Sequence, residues 1–183
     1  ATDDETLAQL ITDRIADMHA AGTTCIETKT GYGLTVPDEA RGARIAAQAG
    51  VDEVTFLGAH VVPTEYDDDR DAYLDLVCGP MLDAVKGQAR WIDVFCETGA
   101  FDEAESRRVL AAGRAAGLGL RVHGNQLGPG PGVRLAVDLG AASADHCTYL
   151  TDADVDALAG GSTVATLLPA TDLSTRQPPA PGR

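Results

Sequence analysis

The sequence predicts an α/β fold, a (β/α)8 TIM barrel of which about six βα units are present. Six short segments rich in β-branched and apolar residues alternate with helical segments, and no hairpin signal joins any two of them. This alternation is typical of parallel βα units. Histidines also recur where successive strands end, the face that carries the active site of barrels. A doubly wound sheet shares the alternation, but no Gly-x-Gly-x-x-Gly motif follows a first strand.

The first elements are a helix, a strand and a second helix. Residues 4–21 carry apolar residues at helical spacing, and a glycine follows as a natural stop. Residues 23–30 are short and rich in β-branched side chains, which predicts a strand, and a glycine-flanked loop around Tyr32 comes next. Pro37 then opens a helix over 37–48, with acidic residues at its positive end.

The middle of the chain repeats this order. Residues 51–60 read as a strand, and the stretch 70–87 places its apolar residues on one helical stripe. Gly79-Pro80 is expected to break or kink that helix. Residues 90–97 form the next predicted strand.

The last part of the chain continues the alternation. Its predicted elements are a helix over 102–116, a strand over 118–123, a shorter helix over 131–139, a strand over 141–147, a helix from 151 and a strand over 163–168. Thr151 is a good N-cap for the last of these helices. We expect residues 1–183 to form one domain, a partial barrel.

Composition excludes several classes of function. Fourteen Lys and Arg against 28 Asp and Glu leave a formal charge of −14, whereas nucleic-acid binding needs clustered basic residues. No apolar stretch reaches the ~20 residues that span a bilayer, and no signal peptide opens the chain. The four cysteines show no C-x-x-C spacing. We therefore expect a cytoplasmic protein without nucleic-acid or membrane partners.

Three histidines close predicted strands: His60, His123 and His146. Glu97 closes the strand between the first two, while His19 lies late in the first helix. A single histidine at a strand end is more often structural than a ligand. Three at one barrel face, with a carboxylate, predict a site at which imidazoles could bind Zn²⁺ or Fe²⁺. Neither His-x-His nor His-Glu-x-x-His occurs in the chain, so a site with four protein ligands would need residues from elsewhere.

Six sequence blocks resemble one family. They are 29–35 (KTGYGLT), 55–63 (TFLGAHVVP), 93–97 (DVFCE), 122–127 (VHGNQL), 143–146 (SADH) and 161–169 (GSTVATLLP). In this order they resemble imidazolonepropionases, of the amidohydrolase superfamily. The resemblance implies an amidohydrolase-type barrel with one Zn²⁺ or Fe ion. It also implies hydrolysis of the ring amide of 4-imidazolone-5-propanoate to N-formimidoyl-L-glutamate, the third step of histidine degradation.

The resemblance also implies roles for individual residues. His123 matches the metal ligand of the fifth barrel strand, and His146 matches a histidine near the metal-bound water, a candidate proton shuttle. Tyr32 and His60 match residues that contact the substrate. Gln126 stands where some members carry Glu, and is a candidate for contact with the substrate or with the catalytic water.

The chain departs from the family pattern in several places. Gly124 stands where Ala is usual, and 168–171 (LPAT) replaces a more usual Pro-Gly-Ala. The family's His-x-His pair, a substrate-binding Arg and a late metal-binding Asp have no match here. The resemblance therefore implies an internal piece of the enzyme that lacks the first and last barrel strands. It also implies that this piece alone is inactive.

Two alternatives stay open at this point. A barrel that lacks part of its metal site could serve as a binding module, and a related cyclic amidohydrolase would share the same architecture. The 29–35 and 55–63 blocks argue against the second alternative. The expected partner is the small-molecule substrate, and a homodimer is a possible assembly.

Overall fold

The computed structural model describes residues 2–182, which form one six-stranded parallel sheet flanked by helices. The strands are β1 (Glu27–Lys29), β2 (Glu53–Ala59), β3 (Trp91–Cys96), β4 (Gly119–Gly124), β5 (Ser143–His146) and β6 (Val164–Thr166). The helices are α1 (Asp4–Ala20), α2 (Val36–Gln48), α3 (Arg70–Leu76), α4 (Leu82–Val85), α5 (Glu103–Ala115), α6 (Gly132–Asp138), α7 (Asp152–Gly160) and α8 (Pro169–Thr175). A 3₁₀ turn spans Thr64–Tyr66.

The strands lie in the sheet in the same order as in the chain, and each pair is parallel. A doubly wound sheet reverses its strand order at a switch point, and no reversal occurs between β1 and β6. The sheet instead curls into half a barrel. The prediction of an incomplete TIM barrel is therefore confirmed.

The core lies between the sheet and the helices that cover it. Phe56, Ile92 and Val122, from three successive strands, are fully buried, and such side chains each contribute about 1.5–3 kcal/mol. Helix α5 approaches β3 so closely that a Cβ on Gly113 would lie 2.1 Å from Ile92 Cγ2. This packing fixes the strands, and with them the side chains at their carboxyl ends.

The helical segment that contains Gly79-Pro80 is not interrupted there. A π-helical turn, Val77–Met81, joins α3 to α4 without interruption, because the wider turn accommodates a proline that lacks an N–H donor. Strand β1 is also shorter than predicted. Residue Ile26 donates its N–H to the Asp52 side chain at 2.8 Å instead of to a neighbouring strand.

Helix α8 was not predicted. It begins at Pro169, whose fixed φ suits the first turn of a helix, and its buried Asp172 accepts a hydrogen bond from Thr148 Oγ1 at 3.0 Å. The predicted N-cap of α7 is confirmed, since the Thr151 hydroxyl accepts from the Asp154 N–H. Among residues 2–182, no helix combines the length and apolar character that crossing a membrane requires.

Candidate active site at the carboxyl ends of the strands

A pocket of about 280 Å³ lies at the carboxyl ends of the strands. Its lining includes Tyr32, His60, Phe95, His123, Gln126 and His146. The fold therefore brings together all five residues that the sequence proposed for the site. A larger groove, of about 380 Å³, lies between α1 and β1, but its lining is mostly apolar and holds no cluster of histidines.

Aromatic rings run in a row across this pocket. Tyr32 meets the His60 ring edge-on with centroids 4.7 Å apart, and His60 lies 5.7 Å from Phe95. Phe95 lies 6.4 Å from His123, which in turn lies 5.1 Å from His146. These edge-to-face contacts are the arrangement that aromatic rings prefer. Each ring thus restricts the orientation of the next.

His60 is fixed by the loop that follows β1. Its Nδ1 lies 3.2 Å from the Gly31 carbonyl oxygen, a contact that places the ring proton on Nδ1 and leaves Nε2 as an acceptor. Burial lowers the pKa of His60. The imidazole is therefore neutral near pH 7, which suits hydrogen bonding to an uncharged ring.

A charged cluster lies beside the pocket, centred on Lys29. The Lys29 ammonium is 2.9 Å from Asp93 Oδ2 and 3.2 Å from Asp145 Oδ2, and it also donates to Glu27 at 2.9 Å. Burial alone would lower the pKa of Lys29, but the carboxylates around it outweigh burial and raise it. Burial would likewise raise the pKa of Asp93, yet His123 and Lys29 hold it well below its usual range. Lys29 and Asp93 are therefore both charged near pH 7.

His123 is held against this cluster. Its Nδ1 lies 2.9 Å from Asp93 Oδ2 and 4.0 Å from Asp145 Oδ2. The approach is that of an ion pair, although among residues 2–182 no partner meets this buried nitrogen with hydrogen-bond geometry. Burial lowers the pKa of His123, but Asp93 overcompensates and the pKa is raised. With Nδ1 against Asp93, Nε2 is the ring nitrogen left for another partner.

The ligand atoms of Asp93, His123 and Asp145 lie within 4.8 Å of one another, so these three residues could hold a metal ion. The Lys29 ammonium, however, already lies between the two carboxylates. A cation there would meet a like charge at short range. The donor set therefore suits an ion held by the outer nitrogen of His123 better than an ion at the centre of the cluster.

His146 lies at the end of β5 in an unusual backbone conformation. Its φ is 81°, and Cys147 follows with a φ of 52°, values that L-residues rarely adopt and that cluster at functional sites. Burial, reinforced by the nearby His123, lowers the pKa of His146 to about 4. The imidazole is therefore neutral near pH 7.

Glu97 differs from the prediction. It does not share the pocket with the imidazoles but accepts hydrogen bonds from the backbone N–H groups of Gln126 and Leu127. The carboxylate therefore anchors the loop after β4, and the side chain that this loop presents to the pocket is Gln126. Burial raises the pKa of Glu97.

Sequence reasoning assigned no role to Lys29, Asp93 or Asp145. A signal for two of them exists: Asp93 lies between Ile92 and Val94 in a strand that is otherwise apolar, and Asp145 follows Ala144 in β5. Strands of a parallel sheet are buried on both faces, so a charge inside one demands a partner. Which partner it finds depends on the curl of the sheet.

The chain is similar to known proteins both in sequence and in fold. No protein-family model matches the chain. Imidazolonepropionase of Saccharopolyspora erythraea is 68% identical over 178 residues, which cover 97% of this chain and 45% of that protein. The enzymes of Salinispora arenicola and Paenarthrobacter aurescens are 63% and 62% identical over 180 and 193 residues. The chain thus spans about 45% of the length of the curated relatives that it matches.

The solved structure of an adenosine deaminase from Xanthomonas campestris with bound zinc is similar in fold. It superposes with a TM-score of 0.64, covering 98% of this chain and 43% of that one, at 18% identity. At this identity the likeness concerns the fold alone. It agrees with the half-barrel described above.

Proposed function

Because the chain is homologous to imidazolonepropionases over 97% of its length, we propose that the protein is a metal-dependent hydrolase of histidine degradation. The reaction is hydrolysis of the ring amide of 4-imidazolone-5-propanoate to N-formimidoyl-L-glutamate. The observation that carries the proposal is the 68% identity to a relative of that name. The pocket supports it, since it brings one potential metal ligand and four potential substrate or proton-transfer groups together.

We assign His123 as the residue that would hold the metal, Zn²⁺ or Fe. The buried Nδ1 lies against Asp93, and a carboxylate behind an imidazole is the usual support of a metal ligand. One imidazole is an incomplete metal site, and the resemblance to imidazolonepropionases places the other ligands, a His-x-His pair and an Asp, outside these 183 residues. A bound ion would supply a water of lowered pKa and polarise the substrate carbonyl.

The other pocket residues would bind the substrate and move its protons. Tyr32 and His60 contact the ring of the substrate, because they form one continuous aromatic surface at the pocket wall. His146 lines the pocket and would carry a proton from the attacking water to the leaving nitrogen, as general base and then as general acid. Gln126 lacks a titratable group and therefore orients the substrate or the water.

We further propose that the chain forms part of a single catalytic domain and works in the cytoplasm. Its four cysteines are free thiols, which agrees with a reducing compartment. A homodimer is the assembly we would test, by sedimentation of the full-length enzyme.

The proposal is tested in a chimera in which these 183 residues replace the aligned stretch of the Saccharopolyspora erythraea enzyme. We expect the chimera to release N-formimidoyl-L-glutamate from 4-imidazolone-5-propanoate and to carry one Zn or Fe ion per chain. His123→Ala should lose both the metal and the activity, whereas His19→Ala, on the exposed side of α1, should keep both.

A well-folded chimera without hydrolysis would overturn the proposal. If it bound the substrate without converting it, the binding-module alternative would be favoured. If it hydrolysed other cyclic amides in preference, it would be a related cyclic amidohydrolase.

A further inference from the structure

We infer that Glu39 is a positioning residue of this site, whose buried carboxylate fixes the 31–34 loop and through it Tyr32 and His60. The inference rests on the proposed function, since it concerns the substrate-binding side of the same pocket. Glu39 itself lies in the first turn of α2 and is absent from the lining of the pocket. It would act only through the loop.

The Glu39 carboxylate is 1% exposed and accepts hydrogen bonds from the backbone alone. Its Oε1 accepts from the N–H groups of Gly31, Gly33 and Leu34 at 3.1, 2.7 and 3.1 Å, and its Oε2 accepts from Gly31 at 2.9 Å. Between residues 2 and 182, Glu39 has no salt-bridge partner. The loop is thus wrapped around one anion.

A buried carboxylate without a basic partner is unfavourable unless hydrogen bonds and dipoles compensate for its lost hydration. Three converging amides and the positive end of α2 provide that compensation here. The dependence is mutual, because without Glu39 the same amides would lack their acceptor. The carboxylate and the loop conformation therefore stabilise each other.

The loop backbone adopts a conformation that it would not choose alone. Gly31 has a φ of +115° and Leu34 a φ of 58°. A Cβ on Gly31 would lie 2.5 Å from the Leu57 carbonyl oxygen, and one on Gly33 would lie 2.8 Å from the Glu39 nitrogen. A positive φ is ordinary for Gly31 but unfavourable for Leu34, whose conformation persists only where its surroundings determine it. Glu39 supplies most of the polar contacts that do so.

This conformation sets the geometry of the pocket wall. Tyr32 stands at the tip of the loop and is 83% exposed, so little packing restrains its ring apart from the contact with His60. The Gly31 residue that donates to Glu39 also offers its carbonyl to His60 Nδ1. A single loop residue therefore transmits the position of Glu39 to both rings.

The test is Glu39→Gln in the full-length chimera, a change that keeps the shape but replaces one acceptor oxygen by an NH₂ group facing amide donors. We expect KM to rise about tenfold, the effect of leaving buried donors without acceptors, while kcat falls by less than about threefold because the metal side is untouched. Combined with Tyr32→Ala, the same change should raise KM by less than about threefold further, because both act on one element.

The matched control is Asp52→Asn, which alters another carboxylate that accepts a backbone N–H, that of Ile26 at 2.8 Å, just before β1. Asp52 does not line the pocket. It should lower thermal stability and leave KM within about twofold, as expected for a separate site. An equal rise of KM in both variants, or KM effects of Glu39→Gln and Tyr32→Ala that simply multiply, would overturn the inference.

Hydrogen exchange separates this inference from the proposed function. The amides of Gly31, Gly33 and Leu34 should exchange faster in Glu39→Gln than in the wild type, with no substrate present. Unchanged exchange refutes the positioning role even if the enzyme is active. Faster exchange in a protein that does not hydrolyse the substrate supports the role and refutes the function. Should Glu39→Gln not fold, Glu39→Asp, which keeps the charge, is expected to show the same changes to a smaller degree.

Discussion

The two sides of the pocket are held in place by different means. On the side of β1 and β2, Tyr32 and His60 depend on backbone hydrogen bonds, gathered by one buried carboxylate, Glu39. On the side of β4 and β5, His123 is held by charge, through Asp93 and the Lys29 ammonium.

The difference matches the work proposed for each side. A wall that binds the substrate needs a fixed geometry. Hydrogen bonds to the backbone provide it, and their strength depends little on pH. A side that would hold a cation and exchange protons needs balanced charges, because an unpaired buried charge is costly. Among the described residues, the buried polar atoms without partners include His123 Nδ1, His146 Nδ1 and Asp145 Oδ1, all on this charged side.

The largest expected effect comes from removing the central charge. Lys29→Met leaves Asp93 and Asp145 buried without their cation, a change that costs about 3–5 kcal/mol in comparable pairs. We expect a loss of that size in the free energy of unfolding, measured by urea denaturation of the metal-free chimera, and a loss of metal binding. Lys86→Met removes the exposed pair with Asp83 and should cost about 0.5 kcal/mol or less. Equal losses would show that charge does not organise this side.

The conformation of the 31–34 loop, on the side of β1 and β2, can be disrupted by adding a single methyl group. Gly31→Ala places a Cβ 2.5 Å from the Leu57 carbonyl oxygen at a φ of +115°, whereas Gly128→Ala, in the loop that carries Gln126, meets nothing within 4 Å. We expect Gly31→Ala to raise KM about tenfold or more, because strained backbone costs about 1–3 kcal/mol, and Gly128→Ala to leave it within about twofold. Steady-state kinetics on both variants decides whether the loop tolerates displacement.

Much of the fold followed from periodicity and end signals. Parallel βα units leave a clear alternation in sequence, and Pro37 and Thr151 mark helix starts by mechanisms that act locally. Helix α8 and the π-helical turn at Pro80 were harder to predict. The first has too short a pattern to show a period, and the second depends on how neighbouring turns absorb a missing donor.

The site was predictable where chemistry coincides with strand ends. His60, His123 and His146 could be placed at one face because parallel strands end together. Glu97 ends its strand there too, yet its carboxylate turns to the backbone of Gln126. The pairing of Lys29 with Asp93, 64 positions apart, depends on sheet register and curl, which single-strand patterns do not specify.

A smaller effect on KM is expected from replacing Gln126, the side chain that the loop after β4 contributes to the pocket. Gln126→Ala removes a polar group from the pocket lining without disturbing the Glu97 contact, which involves the backbone of residue 126. We expect KM to rise about three- to tenfold, the usual effect of losing one neutral hydrogen bond, with kcat nearly unchanged. A collapse of kcat at constant KM would instead give Gln126 a role in the chemical step.

The smallest expected effect concerns pH and Glu97, the carboxylate that anchors the loop after β4. Burial raises the pKa of Glu97 above its ordinary 4.5, so between these two values the folded protein holds more protons than the unfolded chain, and stability falls as pH rises through the folded pKa. Glu97→Gln keeps an acceptor for the Gln126 N–H but cannot ionise. Its free energy of unfolding, followed by urea denaturation from pH 4 to 7, should gain on the wild type as pH rises. Parallel curves would mean that Glu97 ionises as readily when folded as when unfolded, and that the loop after β4 is anchored without any cost in desolvation.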